Sequence, residues 1–420
     1  MSASAETSGV GRWLRWPWMV VLLLAPVALL NYLDRQMLAA MKTSVMADLP
    51  DIGTEANWGR MLGQFKWVYA FLSPVGGYLA DRFGKRVTIC GSLCAWSLVT
   101  WWTAHVGTYA ELLTARSLMG LSEAFYIPAA LALIADYHTG GTRSRAVGVH
   151  QMGIYCGVIV GGFSGYVADA PGLGWRWAFE VCGIAGVVYA LPLLLLLRDV
   201  PSSGAERASI APWEAVRELV VNRAFLLLVA CFTLPALAAW IVRDWMPAIL
   251  KAEFQIGQGK AGVSATLYWQ GAAIVGAVVG GWLADRWMKR TPRGRTFVSA
   301  LGMALLIPAM FGVGFAPQTG MLWVAVAFLA LFGLGWGFFD SNNMPILCQV
   351  ARPELRGTGY GLMNLVGISA GGLADWGFGV LRDREVPLLW IFGVFAGGAA
   401  LSVVLVLLIR PRHDCGSSTP

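Results

Sequence analysis

The sequence predicts an all-α membrane protein with twelve transmembrane helices arranged in two six-helix bundles. Of its 420 residues, 57% are hydrophobic and only 13% are charged, whereas a soluble protein is about a quarter charged. The apolar residues occur in runs of roughly 20, and an α-helix of that length crosses the ~30 Å hydrocarbon core of a bilayer. We therefore expect an integral, multi-pass protein that is in direct contact with the lipid bilayer.

A repeated motif predicts the division into two halves. The segment Gly-Tyr-Leu-Ala-Asp-Arg at 77–82 ends one apolar run, and Gly-Trp-Leu-Ala-Asp-Arg at 281–286 ends another, 204 residues later. Further basic residues follow both copies. A duplicated half with a charged turn after its second hydrophobic span is typical of a two-bundle membrane transporter.

The predicted domains follow from twelve apolar segments. The N-terminal bundle, residues 17–198, contains the predicted spans 17–40, 60–81, 87–106, 110–136, 145–168 and 176–197. The C-terminal bundle, residues 223–410, contains the spans 223–248, 261–284, 296–316, 320–342, 357–380 and 387–409. Residues 1–16 and 411–420 are expected to be tails, and 199–222 a polar linker in which Trp213 to Val221 forms a short helix on the membrane surface.

The basic residues predict the orientation in the membrane. Twenty of the 31 Lys and Arg residues lie on the side of the two tails and the linker, and only seven lie on the opposite side. By the positive-inside rule both termini are cytoplasmic, and this agrees with an even number of spans, which requires both termini to lie on the same side. The net charge of +7 is thereby explained by topology, so we expect no nucleic-acid partner. We expect a monomer in the bacterial inner (plasma) membrane.

Charged residues inside the apolar spans are the candidate functional residues. A charge in hydrocarbon costs several kcal/mol, so it usually faces a cavity or a partner and marks a transport pathway. The cations in question are Arg35, Lys66, Arg116 and Arg243, and the carboxylates are Asp34, Glu123 and Asp244. Because the cations outnumber the carboxylates, we expect a site that attracts an anion, and attracts it more strongly once a carboxylate binds a proton.

Simpler interpretations of these charges stay open. They can be structural ion pairs that join helices, and the amine of Lys66 can extend along the helix to water near the end of its span. Asp136, Asp340 and Asp375 lie nearer the ends of predicted spans, where we expect ordinary interface residues.

The motifs resemble those of the major facilitator superfamily. The resemblance rests on Gly-x-Leu-Ala-Asp-Arg-x-Gly-Lys-Arg at 77–86, on its second copy and on the layout of six plus six spans. Within this superfamily the chain resembles the anion:cation symporter family, through Asn31 to Arg35, Tyr69, Arg116 to Glu123, 245–250 and 356–364. The resemblance implies transport by alternating access, in which the two bundles rock around a central site.

The resemblance also implies roles for single residues. It implies proton-coupled symport of a small organic anion, such as a hexuronate, an aldonate or sialic acid. Arg35 would bind the substrate carboxylate, Asp34 and Glu123 would take part in protonation, and Arg116 would hold Glu123 in one protonation state. Asn364 and Tyr69 would hydrogen-bond the substrate. Apart from the resemblance, the predicted substrate-binding set also includes Tyr32, Lys66 and Gln151.

The same part of the chain also resembles the spinster-like lipid transporters. The matching segments are Glu-Ala-Phe-Tyr at 123–126 and Ile-Ala-Asp at 134–136. This resemblance implies that the substrate is a lysolipid or another amphiphile, and it is kept as the alternative.

The residues of the repeated motif are predicted to act in gating, because they lie at the membrane surface. They are Asp81, Arg82, Asp285 and Arg286. No paired nucleophile and base is recognisable, and the four His are dispersed. We therefore predict that the protein is not an enzyme and has no cofactor and no metal site.

Overall fold

The protein is described by a computed structural model that covers residues 17–138, 142–199 and 212–410, without the side chains of residues 77, 78, 81, 144, 212 and 353. The regular structure of these residues is helical. The helices of the first half are α1 (Pro17–Ala40), α2 (Lys42–Asp48), α3 (Glu55–Phe83), α4 (Lys85–Thr103), α5 (Tyr109–Glu123), α6 (Tyr126–Tyr137), α7 (Arg143–Gly162), α8 (Ser164–Asp169) and α9 (Gly174–Leu196). Those of the second half are α10 (Pro212–Val221), α11 (Arg223–Asp244), α12 (Met246–Phe254), α13 (Gln258–Met288), α14 (Gly294–Thr319), α15 (Leu322–Val350), α16 (Arg356–Asp383) and α17 (Leu388–Leu408). Two short 3₁₀-helices, Pro50–Ile52 and Pro353–Leu355, complete the regular structure.

Twelve helical segments of the described chain are long enough to cross a bilayer. Nine of them are also apolar enough by composition, counting α5 with α6 and α7 with α8 as one segment each. The other three are α3, α4 and α16, with 29, 19 and 28 residues. These three do not combine the high mean hydropathy and the small number of charged residues that the nine have. The number of spans agrees with the predicted twelve.

The described residues form two compact units. The first contains the residues up to Asp51 and those from Phe71 to 199, and the second contains Ile52–Ala70 and the residues from 212 onward. Helix α3 therefore contributes its first half to the second unit and its second half to the first. This division of α3 is not visible in the sequence, where residues 60–81 form one apolar run.

Close packing of α1 against α7 characterises the first unit. A Cβ atom on Gly157 would lie 2.3 Å from the carbonyl oxygen of Leu29, so only glycine allows the two backbones to approach this closely. The adjoining core contains Leu24, Trp96 and Leu133, which are almost completely buried. α1 and its charged residues are thus packed closely within the unit.

The predicted fourth span, 110–136, is two helices in the structure. α5 ends at Glu123 and α6 begins at Tyr126. Pro128 in the first turn of α6 has no N–H group to donate to the carbonyl of Ala124, so the helical hydrogen-bond ladder is interrupted there. The break places the Glu123 carboxylate at the end of a helix in the interior of the first unit.

A second break shapes the second unit. α11 ends at Asp244, and α12 begins at Met246 with Pro247 near its start, so the predicted span 223–248 ends earlier than expected. The helix predicted in the linker corresponds to α10, and its position on the membrane surface stays a prediction. Leu219 of α10 is 1% exposed within the core of this unit, whereas Trp213 is 75% exposed, as expected for a helix with one apolar and one solvent- or lipid-facing side.

Candidate functional site

An ion pair between Arg35 of α1 and Glu123 of α5 is buried within the first unit. The Nε group of Arg35 donates to Oε2 of Glu123 at 2.6 Å, and Nη2 contacts the same oxygen. Nη2 also donates to Oδ1 of Asn31 at 3.1 Å, and the Tyr32 ring lies 4.7 Å from the guanidinium carbon. The guanidinium is therefore oriented from three sides. The side chain of Glu123 is 0% exposed, so its charge depends on this partner.

Asp34, next to Arg35 in sequence, is bound by another helix. Its Oδ2 accepts a hydrogen bond from the hydroxyl of Thr100 on α4 at 3.1 Å. Its Oδ1 and Oε1 of Glu123 are buried and have no hydrogen-bond partner among the described residues. Two buried carboxyl oxygens with unused lone pairs are places where a proton can be added without breaking a hydrogen bond.

Arg116 completes this group of four charges, which we call the α1–α5 cluster (Asp34, Arg35, Arg116 and Glu123). It is 3% exposed, and its Nη1 contacts the sulfur of Met119 at 2.8 Å. The direct partner of Glu123 is thus Arg35, while Arg116 acts on Glu123 and Asp34 electrostatically. Two cations and two carboxylates leave the cluster neutral when all four groups are ionised.

The second unit contains another group of buried charges, which we call the Lys66 cluster (Lys66, Asp244 and Asp375). The Lys66 ammonium of α3 donates to Oδ2 of Asp244 on α11 and to Oδ2 of Asp375 on α16. Trp245 donates its indole N–H to Oδ1 of Asp375 at 3.2 Å, and the Trp240 ring lies 4.1 Å from the ammonium. The Lys66 ammonium is therefore buried between two carboxylates. It does not extend to water, as one of the simpler interpretations of the sequence had allowed.

The structure corrects the expectation for Asp375. It was expected to be an ordinary residue near the end of a span, but its side chain is 0% exposed and bound to Lys66. Nearby, Asp340 of α15 lies within electrostatic reach of Arg243 and accepts a hydrogen bond from Asn343 at 3.4 Å. Once Asp375 and Asp340 are counted, carboxylates outnumber the cations inside the spans. The expected excess of positive charge is therefore absent when all groups are ionised.

The remaining predicted substrate-binding residues are placed as follows. Tyr69 is 7% exposed and its ring stacks on that of Phe65, with the ring centres 5.9 Å apart. Gln151 of α7 and Asn364 of α16 are partly exposed. Gln151 belongs to the first unit with the α1–α5 cluster, whereas Tyr69 and Asn364 belong to the second unit with Lys66. Their role in binding stays a prediction.

The predicted gating residues lie at helix ends. Asp285 is 76% exposed in its side chain and lies 3.8 Å from Arg295 of the neighbouring α14. Arg286 and Arg82 are exposed, and their guanidinium groups lie 5.6 Å and 5.7 Å from the rings of adjacent aromatic residues. The side chain of Asp81 lies outside the described residues, and the gating role of all four stays a prediction.

Sequence analysis missed two residues: Thr100, which donates a hydrogen bond to the α1–α5 cluster, and Asp375 of the Lys66 cluster. Thr100 is one of several polar residues in α4, and Asp375 lies among glycines in α16; neither belongs to a recognisable motif. The one available signal was that Asp375 is an acidic residue five positions inside the predicted end of its span. Among the described residues no group of three or more His, Cys, Asp and Glu is arranged to hold a metal ion.

Twelve long helical segments with buried charge clusters define an integral, multi-pass membrane transporter. Residues 24–374 match the sequence profile of the Major Facilitator Superfamily, and the chain belongs to this family. It is a secondary transporter of the type found in this superfamily, and its relatives are transporters, not enzymes.

The chain is similar to two curated proteins in sequence and to one solved structure in fold. The chain is 26% identical over 388 residues to Protein spinster homolog 1 of Xenopus tropicalis, covering 87% of this chain and 73% of the relative. It is 27% identical over 407 residues to an MFS-type efflux pump of Mycolicibacterium smegmatis (strain ATCC 700084 / mc(2)155), covering 95% and 91%. The crystal structure of a bacterial homologue of the human lysosomal transporter Spinster superposes with a TM-score of 0.75 at 19% identity, over 94% of this chain and 95% of that one. The last similarity concerns the fold alone.

Proposed function

We propose that this protein is a proton-linked transporter of an organic anion, in which Arg35 binds the anion after Glu123 has taken up a proton. The observation that carries this proposal is the engagement of the Arg35 guanidinium by a fully buried carboxylate. An anionic substrate has to compete with Glu123 for the same N–H groups. Protonation neutralises Glu123 and weakens its hold on Arg35, so proton binding favours anion binding.

The guanidinium suits this role because of its shape. Its planar arrangement of N–H donors matches the two oxygens of a carboxylate or phosphate. Asn31 and the Tyr32 ring already orient Arg35, so little conformational freedom is lost when an anion binds. The spans have no general excess of positive charge, so selectivity for an anion rests on this one residue and on the protonation of its partner.

For the anion itself we favour an amphiphile with an anionic head group. This choice rests on the spinster relatives, which match the chain over 81–87% of its length, and on the resemblance of 123–126 to that group. The alternative is symport of a sugar acid such as a hexuronate, an aldonate or sialic acid, as the anion:cation symporter motifs imply. Both share the chemistry of an anionic group on Arg35, and they differ in whether an apolar tail is needed.

The proposal includes a topology. We propose a monomer in the bacterial inner membrane. Both termini would be cytoplasmic, because most basic residues lie on the side of the tails and the linker. The four residues of the repeated motif, at 81–82 and 285–286, would then act as gates on the cytoplasmic side.

A ligand screen tests the proposal. The purified protein is heated with sugar acids, their neutral analogues, anionic lysolipids and zwitterionic lysolipids, at mildly acidic and mildly alkaline pH. We expect stabilisation by an anionic lysolipid, stronger at acidic pH; stabilisation by a sugar acid but not its neutral analogue would select the alternative. Equal stabilisation by charged and neutral analogues would contradict the role of Arg35.

Variants make the screen specific. Arg35→Gln should lose the stabilisation, while Arg384→Gln, which removes an exposed guanidinium, should keep it. Glu123→Gln should bind the anion equally at both pH values. In proteoliposomes Glu123→Gln should exchange substrate across the membrane but should not accumulate it against a gradient; loss of exchange as well would indicate a structural role.

A further inference from the structure

The Lys66 cluster has an unequal number of charges. One ammonium lies between two carboxylates, on three different helices. The side chains of Lys66 and Asp375 are 4% and 0% exposed, and that of Asp244 is 12% exposed. Among the described residues no other Lys or Arg forms an ion pair with either carboxylate. With all three groups ionised, the cluster has a net charge of −1 in a place that water barely reaches.

The neighbouring charges do not remove this imbalance. Two further charged groups of the described residues lie near the cluster: Arg243 of α11, whose guanidinium carbon lies 5.1 Å from the centre of the Trp240 ring, and Asp340 of α15, within reach of Arg243. They add one cation and one carboxylate, so together they leave the excess of one negative charge unchanged. An uncompensated buried charge costs several kcal/mol. Two carboxylates that share a site avoid this cost when one of them binds a proton.

We propose that Lys66, Asp244 and Asp375 form a second proton-binding site, separate from the α1–α5 cluster, in which the two carboxyl groups share one proton beside the Lys66 ammonium. With this proton bound, the cluster is neutral. The proposal does not depend on the identity of the transported substrate.

The hydrogen bonds indicate where the proton enters. Both oxygens of Asp375 accept from donors, Oδ1 from Trp245 and Oδ2 from Lys66. Asp244 uses only Oδ2 to bind Lys66, and its side chain is the most exposed of the three. Its other oxygen is therefore the position at which a proton can be added or removed without breaking a hydrogen bond to the protein.

The proton also adjusts a contact between helices. The first half of α3 packs so closely on α16 that a Cβ atom on Gly59 would lie 2.2 Å from the carbonyl oxygen of Asp375. At the start of α3, the N–H groups of Glu55 and Ala56 both donate to the Asp383 carboxylate at 2.9 Å. Lys66 is the only cation that the first half of α3 contributes to the cluster. When the shared proton is lost, the Lys66 ammonium of α3 is attracted more strongly to the Asp244 carboxylate of α11. When the proton is bound, this attraction is weaker.

Infrared spectroscopy of the reconstituted protein tests this site without a substrate. A protonated carboxyl group gives a C=O stretching band that shifts in D₂O. An ionised carboxylate does not give this band. At neutral pH we expect such a band in the wild type and in the double variant Asp34→Asn/Glu123→Gln. Asp244→Asn and Asp375→Asn should each lose it, since one ammonium and one carboxylate then balance. Asp285→Asn, which changes an exposed carboxylate, should keep it.

A variant of the third residue of the cluster should change the intensity of the band in the opposite direction. Lys66→Met removes the ammonium, so both carboxyl groups should bind protons and the band should grow about twofold. A wild type without the band, or a band that persists in both Asp244→Asn and Asp375→Asn, would overturn the proposal. A band lost only in the double variant of the α1–α5 cluster would assign the proton to that cluster. The proposed function is tested separately, because its failure is seen in anion binding to Arg35 and Glu123 variants and not in this band.

Discussion

The strength of the Arg35–Glu123 ion pair can be measured by unfolding. We consider the cycle formed by the wild type, Arg35→Met, Glu123→Gln and the double variant. Both substitutions keep most of the side-chain volume and remove one charge each. In Arg35→Met the carboxylate of Glu123, which is 0% exposed, loses its partner. In the double variant neither charge of the pair remains, and the coupling between the two changes isolates their interaction.

Two general values bracket the expected magnitude. Removing one partner of a buried ion pair costs about 3–5 kcal/mol, whereas hydrogen bonds between membrane helices contribute only ~0.6 kcal/mol on average. The Arg35–Glu123 pair is charged and makes two N–H contacts to one carboxylate oxygen, so the upper range applies to Arg35→Met. Glu123→Gln should cost less, because its amide oxygen still accepts from Arg35. We expect a coupling of about 2 kcal/mol.

The assay is equilibrium unfolding in mixed micelles, followed by tryptophan fluorescence, with the free energy of unfolding compared across the four proteins. A coupling of about 2 kcal/mol corresponds to about a 30-fold change in affinity. Glu123→Gln should therefore bind an anion about 30-fold more tightly than the wild type at neutral pH. Costs that add to within about 0.5 kcal/mol would show that the pair contributes little, and Glu123 would then be too weak a competitor to control Arg35.

Three further variants have outcomes that the structure sets. Thr100→Val removes the hydroxyl that donates to Asp34 and should lower the free energy of unfolding by about 1–2 kcal/mol, whereas Thr100→Ser should not. Gly59→Ala should lower the thermal stability strongly because its Cβ atom would meet the backbone of α16, while Gly91→Ala, which has nothing within 4 Å, should not. Asp285→Asn breaks an exposed 3.8 Å ion pair and should change the free energy of unfolding by less than about 1 kcal/mol; a large loss of transport at unchanged stability would support its gating role.

The fold was accessible from the sequence because each span is a long apolar run, and the charges stand out against it. Arg35, Arg116 and Glu123 could be selected for the same reason. Their pairing could not be predicted, since Arg35 and Glu123 are 88 positions apart and Lys66 lies 178 and 309 positions from its two partners. Local periodicity shows which side of a helix a residue occupies, but not which other helix lies there.

The depth of a charged residue in the membrane also could not be predicted from the sequence. Asp375 lies eight positions before the end of α16 at Asp383, so from the sequence it could belong to the interface. Whether it is buried depends on α3, which approaches α16 through glycine contacts. A break in a span is easier to explain than to predict, because Pro128 and Pro247 interrupt helices while the prolines inside α1 and α14 do not.

The two charge clusters should respond differently to a proton, and this difference can be tested. The α1–α5 cluster is balanced when ionised, so a proton on it leaves a positive charge that an anion can neutralise. The Lys66 cluster has one carboxylate too many, so a proton on it only restores neutrality. The pH dependence of anion binding should therefore come from the first cluster: Glu123→Gln should abolish it and Asp375→Asn should retain it. Anion binding that became independent of pH in Asp375→Asn and stayed dependent in Glu123→Gln would exchange the two roles.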